Sequence, residues 1–126
     1  MSKSLDVALE NLSKFPEKVV RGTLLDMTSK IIKRSPVDTG RFRGNWQASF
    51  GSPKQNITST SDRTGARATA QAGAVINSME MGQTFYLANN LPYATRLEFG
   101  YSEQAPQGMV RVTVAEFQEA VNKAAR

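Results

Sequence analysis

The sequence predicts an α+β fold in which helices pack on a small, mostly antiparallel β-sheet. Apolar residues recur at helical spacing near both ends of the chain and at two-residue spacing in its middle. A chain of 126 residues has the length of one ordinary domain, and its hydrophobic fraction of 40% is near the globular norm. We therefore predict a single domain, residues 1–126, with a long mobile loop at residues 51–67.

Residues 4–34 are predicted to be helical, in two pieces that meet at Pro16. Proline suits the first turn of a helix, where its missing N–H costs nothing. Residues at i, i+4, i+7 and i+11 then form one apolar stripe along the second piece. The stripe consists of Val20, Leu24, Met27 and Ile31, and it is widened by Val19 and Ile32. Ser35-Pro36 ends the helix, because a residue before proline resists the α conformation.

Residues 42–50 are predicted to form a strand after a turn at residues 37–40, in which Gly40 takes a positive φ. Apolar and small residues alternate with polar ones over these nine positions. Residues 51–67 then hold one large apolar side chain, Ile57. A stretch of this kind is predicted to be a mobile arm that becomes ordered only against a neighbour.

The second half of the chain is predicted to hold a helix at residues 68–80, a strand at residues 83–89 and a short helical turn opened by Pro92. Gly100 closes that turn in the left-handed region. A last helix is expected after a capping box at Thr113–Glu116, with Val114, Phe117, Val121 and Ala124 on one face. Residues 108–112 fit either a strand or the beginning of this helix.

The composition excludes several kinds of chemistry. The chain has no cysteine and no histidine, so disulfides, thiolate nucleophiles and the commonest zinc ligand are absent. We find no phosphate-binding loop, carboxylate cluster or metal-ligand spacing, and we predict no catalytic residues, no cofactor and no metal. The N-terminus lacks the apolar core of a signal peptide, and no segment resembles a membrane span, so synthesis in a cytoplasm is expected.

The net charge of +5 is unevenly distributed. The first 67 residues carry twelve basic and six acidic side chains, whereas the rest carries four and five. The excess of basic side chains in the first 67 residues fits a solvated surface, or a surface that binds phosphate or an acidic partner. No basic patch interleaved with aromatic residues is evident, so contact with nucleic acid stays an alternative.

Asp38-Thr39-Gly40 matches the active-site tripeptide of aspartic proteases. That mechanism needs an apolar strand before the aspartate, so that two carboxylates can share a proton in a dry cleft. Asp38 instead follows a polar helix end and precedes Arg41, so we interpret the tripeptide as a tight turn. Proteolysis that is lost in Asp38→Asn would favour the protease.

Three further residues stand out in apolar surroundings. Glu98 is expected to pair with a basic residue such as Arg96 or Arg43, because no oriented partner suggests acid–base catalysis. Trp46 and Tyr93 are expected to be core or interface anchors, since both lie in regular apolar patterns.

Three blocks of sequence resemble a known family. Residues 35–46 read SPVDTGRFRGNW, residues 86–100 read YLANNLPYATRLEFG, and residues 105–111 read APQGMVR. In this order and spacing they are similar to the motifs of neck and tail-completion proteins of tailed bacteriophages. The stretch at 51–67 matches that family poorly.

The resemblance implies a structural virion protein that forms a ring, hexameric in many relatives, at the head–tail junction. Its partners would be copies of itself and the neck, connector and tail-tube proteins, with non-specific contact to DNA in the lumen and none to membrane. It would assemble in the host cytoplasm. The residues expected to build or brace the subunit interface are Asp38, Arg41, Arg43, Trp46, Asn90, Tyr93, Glu98 and Gly100. A tail terminator, a minor capsid protein and a plain nucleic-acid-binding module remain alternatives.

Overall fold

Five helices and a three-stranded antiparallel sheet make up the part of the chain that the computed structural model describes, residues 5–9, 16–59, 61–80, 82–100, 103–105 and 107–124. The predicted α+β class is therefore confirmed. In chain order the elements are β1 (Leu5–Leu9), α1 (Glu17–Arg34), α2 (Arg41–Gly44), β2 (Gln47–Phe50), α3 (Ala66–Asn77), β3 (Phe85–Asn89), α4 (Ala94–Glu98) and α5 (Val110–Ala124).

The sheet has the order β1-β3-β2, so β3 is its central strand. Leu87 of β3 lies opposite Val7 on one side and Ala48 on the other. The prediction of a helix at the N-terminus is therefore wrong over Leu5–Leu9. The local spacing of apolar residues here suits a helix as well as a strand. Pairing with β3, about 80 residues further along the chain, therefore decides their conformation. The remainder of that first helical piece, residues 10–15, lies outside the described residues.

Helix α1 confirms the predicted stripe, because Val20, Leu24, Met27 and Ile31 are all buried. Ile32 is fully buried as well, but Val19 is 51% exposed, so its place in the stripe was wrong. The helix begins after Pro16 and ends at Arg34, with Ser35 at its C-cap. The helix packs on α3, and α3 packs on β2, which places the core between the helices and the sheet.

The predicted strand at 42–50 is only half right, since Arg41–Gly44 forms the helical turn α2 and β2 begins at Gln47. Phe42 and Trp46 are nevertheless both buried, with their ring centroids 5.9 Å apart. Residues four apart meet on a helical turn as readily as residues on one face of a strand. The alternation in the sequence therefore did not distinguish the two.

The loop after β2 is held by side chains of its own chain. Asn45 is joined to Thr58 by two hydrogen bonds, from the Thr58 N–H to Oδ1 at 2.8 Å and from Nδ2 to the Thr58 carbonyl at 3.1 Å. Asn90 Nδ2 donates to the carbonyls of Lys54 and Asn56 at 2.8 and 3.1 Å. These four bonds connect the described part of the loop to Asn45, before β2, and to Asn90, after β3, and the mobility expected of residues 51–67 stays a prediction. Helix α3 begins at Ala66, two residues before the predicted start.

The C-terminal helix begins earlier than predicted, at Val110, so residues 110–112 belong to it. Thr113 is not its cap: it lies inside the first turns, and its hydroxyl donates to the Met109 carbonyl at 2.7 Å. Glu116 reaches Arg34 of α1 and not the backbone of a cap. Val121 and Ala124 were predicted to lie on the apolar face of this helix, but their side chains are outside the described ones.

Candidate functional site

The turn between α1 and α2 is fixed by Gly40, which has a φ of 92°. Its carbonyl accepts hydrogen bonds from the N–H of Gly44 at 2.9 Å and of Asp62 at 3.0 Å. A β-carbon at this position would lie 2.6 Å from the backbone nitrogen of Arg63. Glycine is therefore required twice, for the left-handed conformation and for the close approach of the 62–65 turn.

Asp38 and Arg41 lie exposed on either side of this glycine. Neither side chain forms a hydrogen bond or ion pair with any residue that the structure describes. The exposure of Asp38 differs from the dry cleft that an aspartic-protease carboxylate requires. Charges with no internal partner are available to a second molecule.

Arg43 connects three backbone segments of this region through its guanidinium group. Its Nη1 donates to the Arg63 carbonyl at 2.7 Å, and its Nη2 donates to the carbonyls of Lys33 and Ser35 at 2.9 and 2.8 Å. Burial lowers the pKa of the guanidinium, and the neighbouring Asp62 carboxylate opposes that shift. Arg43 therefore ties the end of α1 to the turn before α3, and its charge is balanced by Asp62.

Trp46 lies in the core, only 1% exposed. Its indole Nε1 donates to the Ser35 hydroxyl at 2.7 Å, and that hydroxyl donates to the Ile31 carbonyl at 2.8 Å. The chain of two bonds joins the C-terminus of α1 to the start of β2. Of the two roles predicted for Trp46, the structure shows that of a core anchor.

Glu98 caps the N-terminus of α5. Its Oε1 accepts the N–H groups of Met109 and Val110, both at 2.9 Å, and its Oε2 accepts that of Arg111 at 2.9 Å. The carboxylate also forms an ion pair with Arg111 Nε at 3.1 Å. Glu98 was expected to pair with a basic residue, and it does. Its partner is Arg111, however, and not Arg96 or Arg43. Gly100, with a φ of 92°, ends α4 beside this junction, as predicted.

A groove of about 570 Å³ runs between the 36–40 turn and α4. Phe42 and Leu97 contribute apolar surface, and the Tyr93 ring lies 6.1 Å from that of Phe42. Asp38 and Glu103 add two exposed carboxylates to the lining. The groove therefore combines apolar side chains with acidic groups, and Tyr93 remains 38% exposed within it.

Gln104 closes one end of the groove. Its amide oxygen accepts the Val37 N–H at 2.8 Å, and its amide nitrogen donates to the Val37 carbonyl at 3.0 Å. This pair of bonds imitates the pairing of a neighbouring strand. It connects the segment after α4 to the turn after α1, which keeps the two walls of the groove together.

The structure thus divides the predicted site residues into two groups. Asp38, Arg41 and Tyr93 are exposed around one turn and its groove. Arg43, Trp46, Asn90 and Glu98 form bonds within the chain, and Gly100 ends α4. Residues that sequence reasoning missed are Asn45, Asp62, Gln104 and Arg111. Arg111 could have been identified from the sequence, because it ends the third motif block, residues 105–111. That block also contains Gly108, which packs against Glu98.

The described residues contain no group of three or more histidine, cysteine or acidic side chains that could hold a metal ion. Within the same part of the chain, no helix is long and apolar enough to cross a membrane. Comparison with protein-family models, with curated proteins and with solved structures found no match.

Proposed function

We propose that this protein is a structural component of a tailed-phage virion that acts by assembling into a ring at the head–tail junction. The observation that carries the proposal is the contact between the three motif blocks. Asn89 Nδ2 donates to the Phe42 carbonyl at 2.9 Å, which joins the first block to the second. The bonds of Glu98 to Met109 and Arg111 join the second block to the third.

The internal members of these blocks support a rigid frame. Arg43, Trp46 and Glu98 each connect two elements through bonds that are buried or partly buried. The exposed members, Asp38 and Tyr93, lie on the groove that this frame supports. A ring subunit needs such a combination, because one rigid contact must repeat with the same geometry until the ring closes.

We assign the subunit contact to the groove, with a second copy of this chain as its occupant. The two carboxylates of the groove can pair with basic side chains of a neighbouring copy, since the chain carries sixteen basic and eleven acidic side chains. The apolar side chains of the groove add the desolvated contact that a stable interface needs. A tail terminator or a minor capsid protein would use the same contact at another level of the virion.

The test is the assembly state of the double variant Asp38→Lys, Tyr93→Ser, measured by analytical ultracentrifugation. We expect the wild-type chain to form one closed assembly and the variant to sediment as a monomer. The matched control is Glu80→Lys, Phe99→Ser, which changes an exposed acid and an exposed aromatic ring outside the groove. A groove variant that assembles like its control would refute the groove as the contact.

A further inference from the structure

The structure brings together four cations that are far apart in the sequence. Arg43 binds the backbone carbonyls of both Lys33 and Arg63, so the end of α1 and the turn before α3 meet at one guanidinium. The Gly40 carbonyl accepts the Asp62 N–H at 3.0 Å, which places Arg41 beside the same turn. Together with Arg67 in the first turn of α3, these side chains form what we call the cationic patch: Lys33, Arg41, Arg63 and Arg67.

None of the charges of this patch is paired within the described chain. All four side chains are exposed, and none forms a hydrogen bond or ion pair with a described residue. Asp62 is the carboxylate within this turn, but it is 6% exposed and its Oδ2 accepts the Ala68 N–H at 3.0 Å. Its charge already interacts with Arg43. The patch therefore presents four positive charges to the solvent.

The turn that carries Arg63 packs closely against α1 and Arg43. Gly65 has a φ of 79°, and a β-carbon there would lie 2.5 Å from Ile32 Cγ2 and 3.2 Å from Arg43 Cδ. The turn can approach these side chains this closely because it carries glycine at this point. The patch is thus held by the backbone, while its guanidinium groups remain available to a ligand.

We propose that the cationic patch binds the phosphate backbone of double-stranded nucleic acid. Three of its four groups are guanidinium ions, which match phosphate oxygens in a bidentate geometry. The four exposed cations belong to the end of α1, to α2, to the turn before α3 and to the first turn of α3, which suits a ligand with repeated phosphates. This inference does not depend on ring assembly, since a single chain carries the whole patch.

The patch binds without reading sequence. The exposed aromatic side chains of the described chain are Tyr93, in the groove, and Phe99, whose ring lies 4.8 Å from the Arg111 guanidinium carbon. Neither belongs to the patch, so bases find no stacking surface there. Contacts to phosphate alone fix position but carry no sequence information, so duplexes of different sequence bind equally.

The test is fluorescence anisotropy with short duplex DNA of two unrelated sequences, at salt concentrations from about 50 to 200 mM. Four phosphate contacts predict a slope of log K against log salt of roughly −3.6, or about a hundredfold loss of affinity over this range. In the triple variant Arg41→Ser, Arg63→Ser, Arg67→Ser the slope falls to roughly −0.9, since one contact remains. The triple control Lys18→Ser, Lys54→Ser, Arg96→Ser removes the same charge from other exposed positions and keeps the wild-type slope.

Three results would overturn the proposal. They are no binding of duplex DNA by the wild-type chain at the lowest salt, equal losses in the two triple variants, or unchanged DNA binding combined with lost self-association in the patch variant. The last would show that the patch meets an acidic protein surface. Circular dichroism checks folding, and the single variant Arg67→Ser, with an expected slope change of roughly 0.9, replaces the triple variant if that one unfolds.

Discussion

The Glu98 carboxylate accepts a hydrogen bond from the backbone N–H of Arg111 at 2.9 Å and forms an ion pair with Nε of the same residue at 3.1 Å. One buried acid thereby satisfies three backbone donors at the start of α5 and also balances a cation. In a helix these first N–H groups have no internal partner, and they attract negative charge. The attachment of α5 to the rest of the fold depends on this contact and on the ion pair between Glu116 and Arg34 of α1.

Glu98→Gln tests that dependence. We expect the free energy of unfolding to fall by about 2 kcal/mol, because hydrogen bonds to a charged acceptor are lost and an amide N–H group faces the donors of Arg111. Urea denaturation measures the change. The control Glu119→Gln, at an exposed position of α5, should leave stability within about 0.5 kcal/mol of the wild type. Equal stability of both variants would show that Glu98 is not the cap on which α5 depends.

Gly108→Ala tests the packing around the same carboxylate. Gly108 has a φ of 83°, and a β-carbon would lie 2.6 Å from Glu98 Oε2 and closer still to the Glu98 carbonyl oxygen. Gly51→Ala is the matched control, because φ there is 87° and nothing lies within 4 Å. We expect a cost of about 1 kcal/mol at Gly51 from the backbone alone, and about 2 kcal/mol more at Gly108 from overpacking. Equal losses of thermal stability in the two variants would contradict close packing of Gly108 against Glu98.

Ser35→Ala tests the link between α1 and Trp46. The substitution leaves the buried indole N–H of Trp46 without its acceptor, which costs about 1–3 kcal/mol. Ser78→Ala is the control, since that hydroxyl also donates to a backbone carbonyl, of Val75 at 2.7 Å, but is exposed. The free energies of unfolding of the two variants should therefore differ clearly. A loss at Ser78 as large as that at Ser35 would argue against a special role for the buried pair.

Arg43→Lys tests the predicted framework of the turn. A lysine ammonium cannot span the three carbonyls that the planar guanidinium reaches, so we expect a loss of about 1–3 kcal/mol in urea denaturation. Arg41→Lys, at the exposed neighbouring position, should change stability by less than about 0.5 kcal/mol. The prediction fails if the two lysine variants unfold at the same urea concentration.

Local patterns in the sequence predicted most of the helical fold. The stripe from Val20 to Ile31 and the cap at Ser35 follow from spacing and from proline chemistry within a few residues. The strand at Leu5–Leu9 was missed because its partner lies near Leu87, and pairing over such a distance leaves no local mark. The helical turn at Arg41–Gly44 was missed because Phe42 and Trp46 satisfy both periodicities.

The sequence identified several residues of the candidate site, but it did not show the role of each one. The motif at 35–46 identified Asp38, Arg41 and Arg43, but only the structure separates the two exposed, unpaired charges from the half-buried guanidinium that binds backbone carbonyls. The capping function of Glu98 could not be read from the sequence, since the N–H groups that donate to it lie 11 to 13 residues further along the chain. The contacts of the Asn45 and Asn90 side chains with the loop after β2 likewise could not be read from its polar composition.

Assembly of this chain into a ring is tested by the mass of the purified chain in solution. We predict by light scattering a single species of several copies of the chain, with six as the expected number. A monomer that restores the joining of heads to tails, when added to particles that lack this chain, would also support the proposed role. A stable monomer or dimer that restores nothing would contradict it.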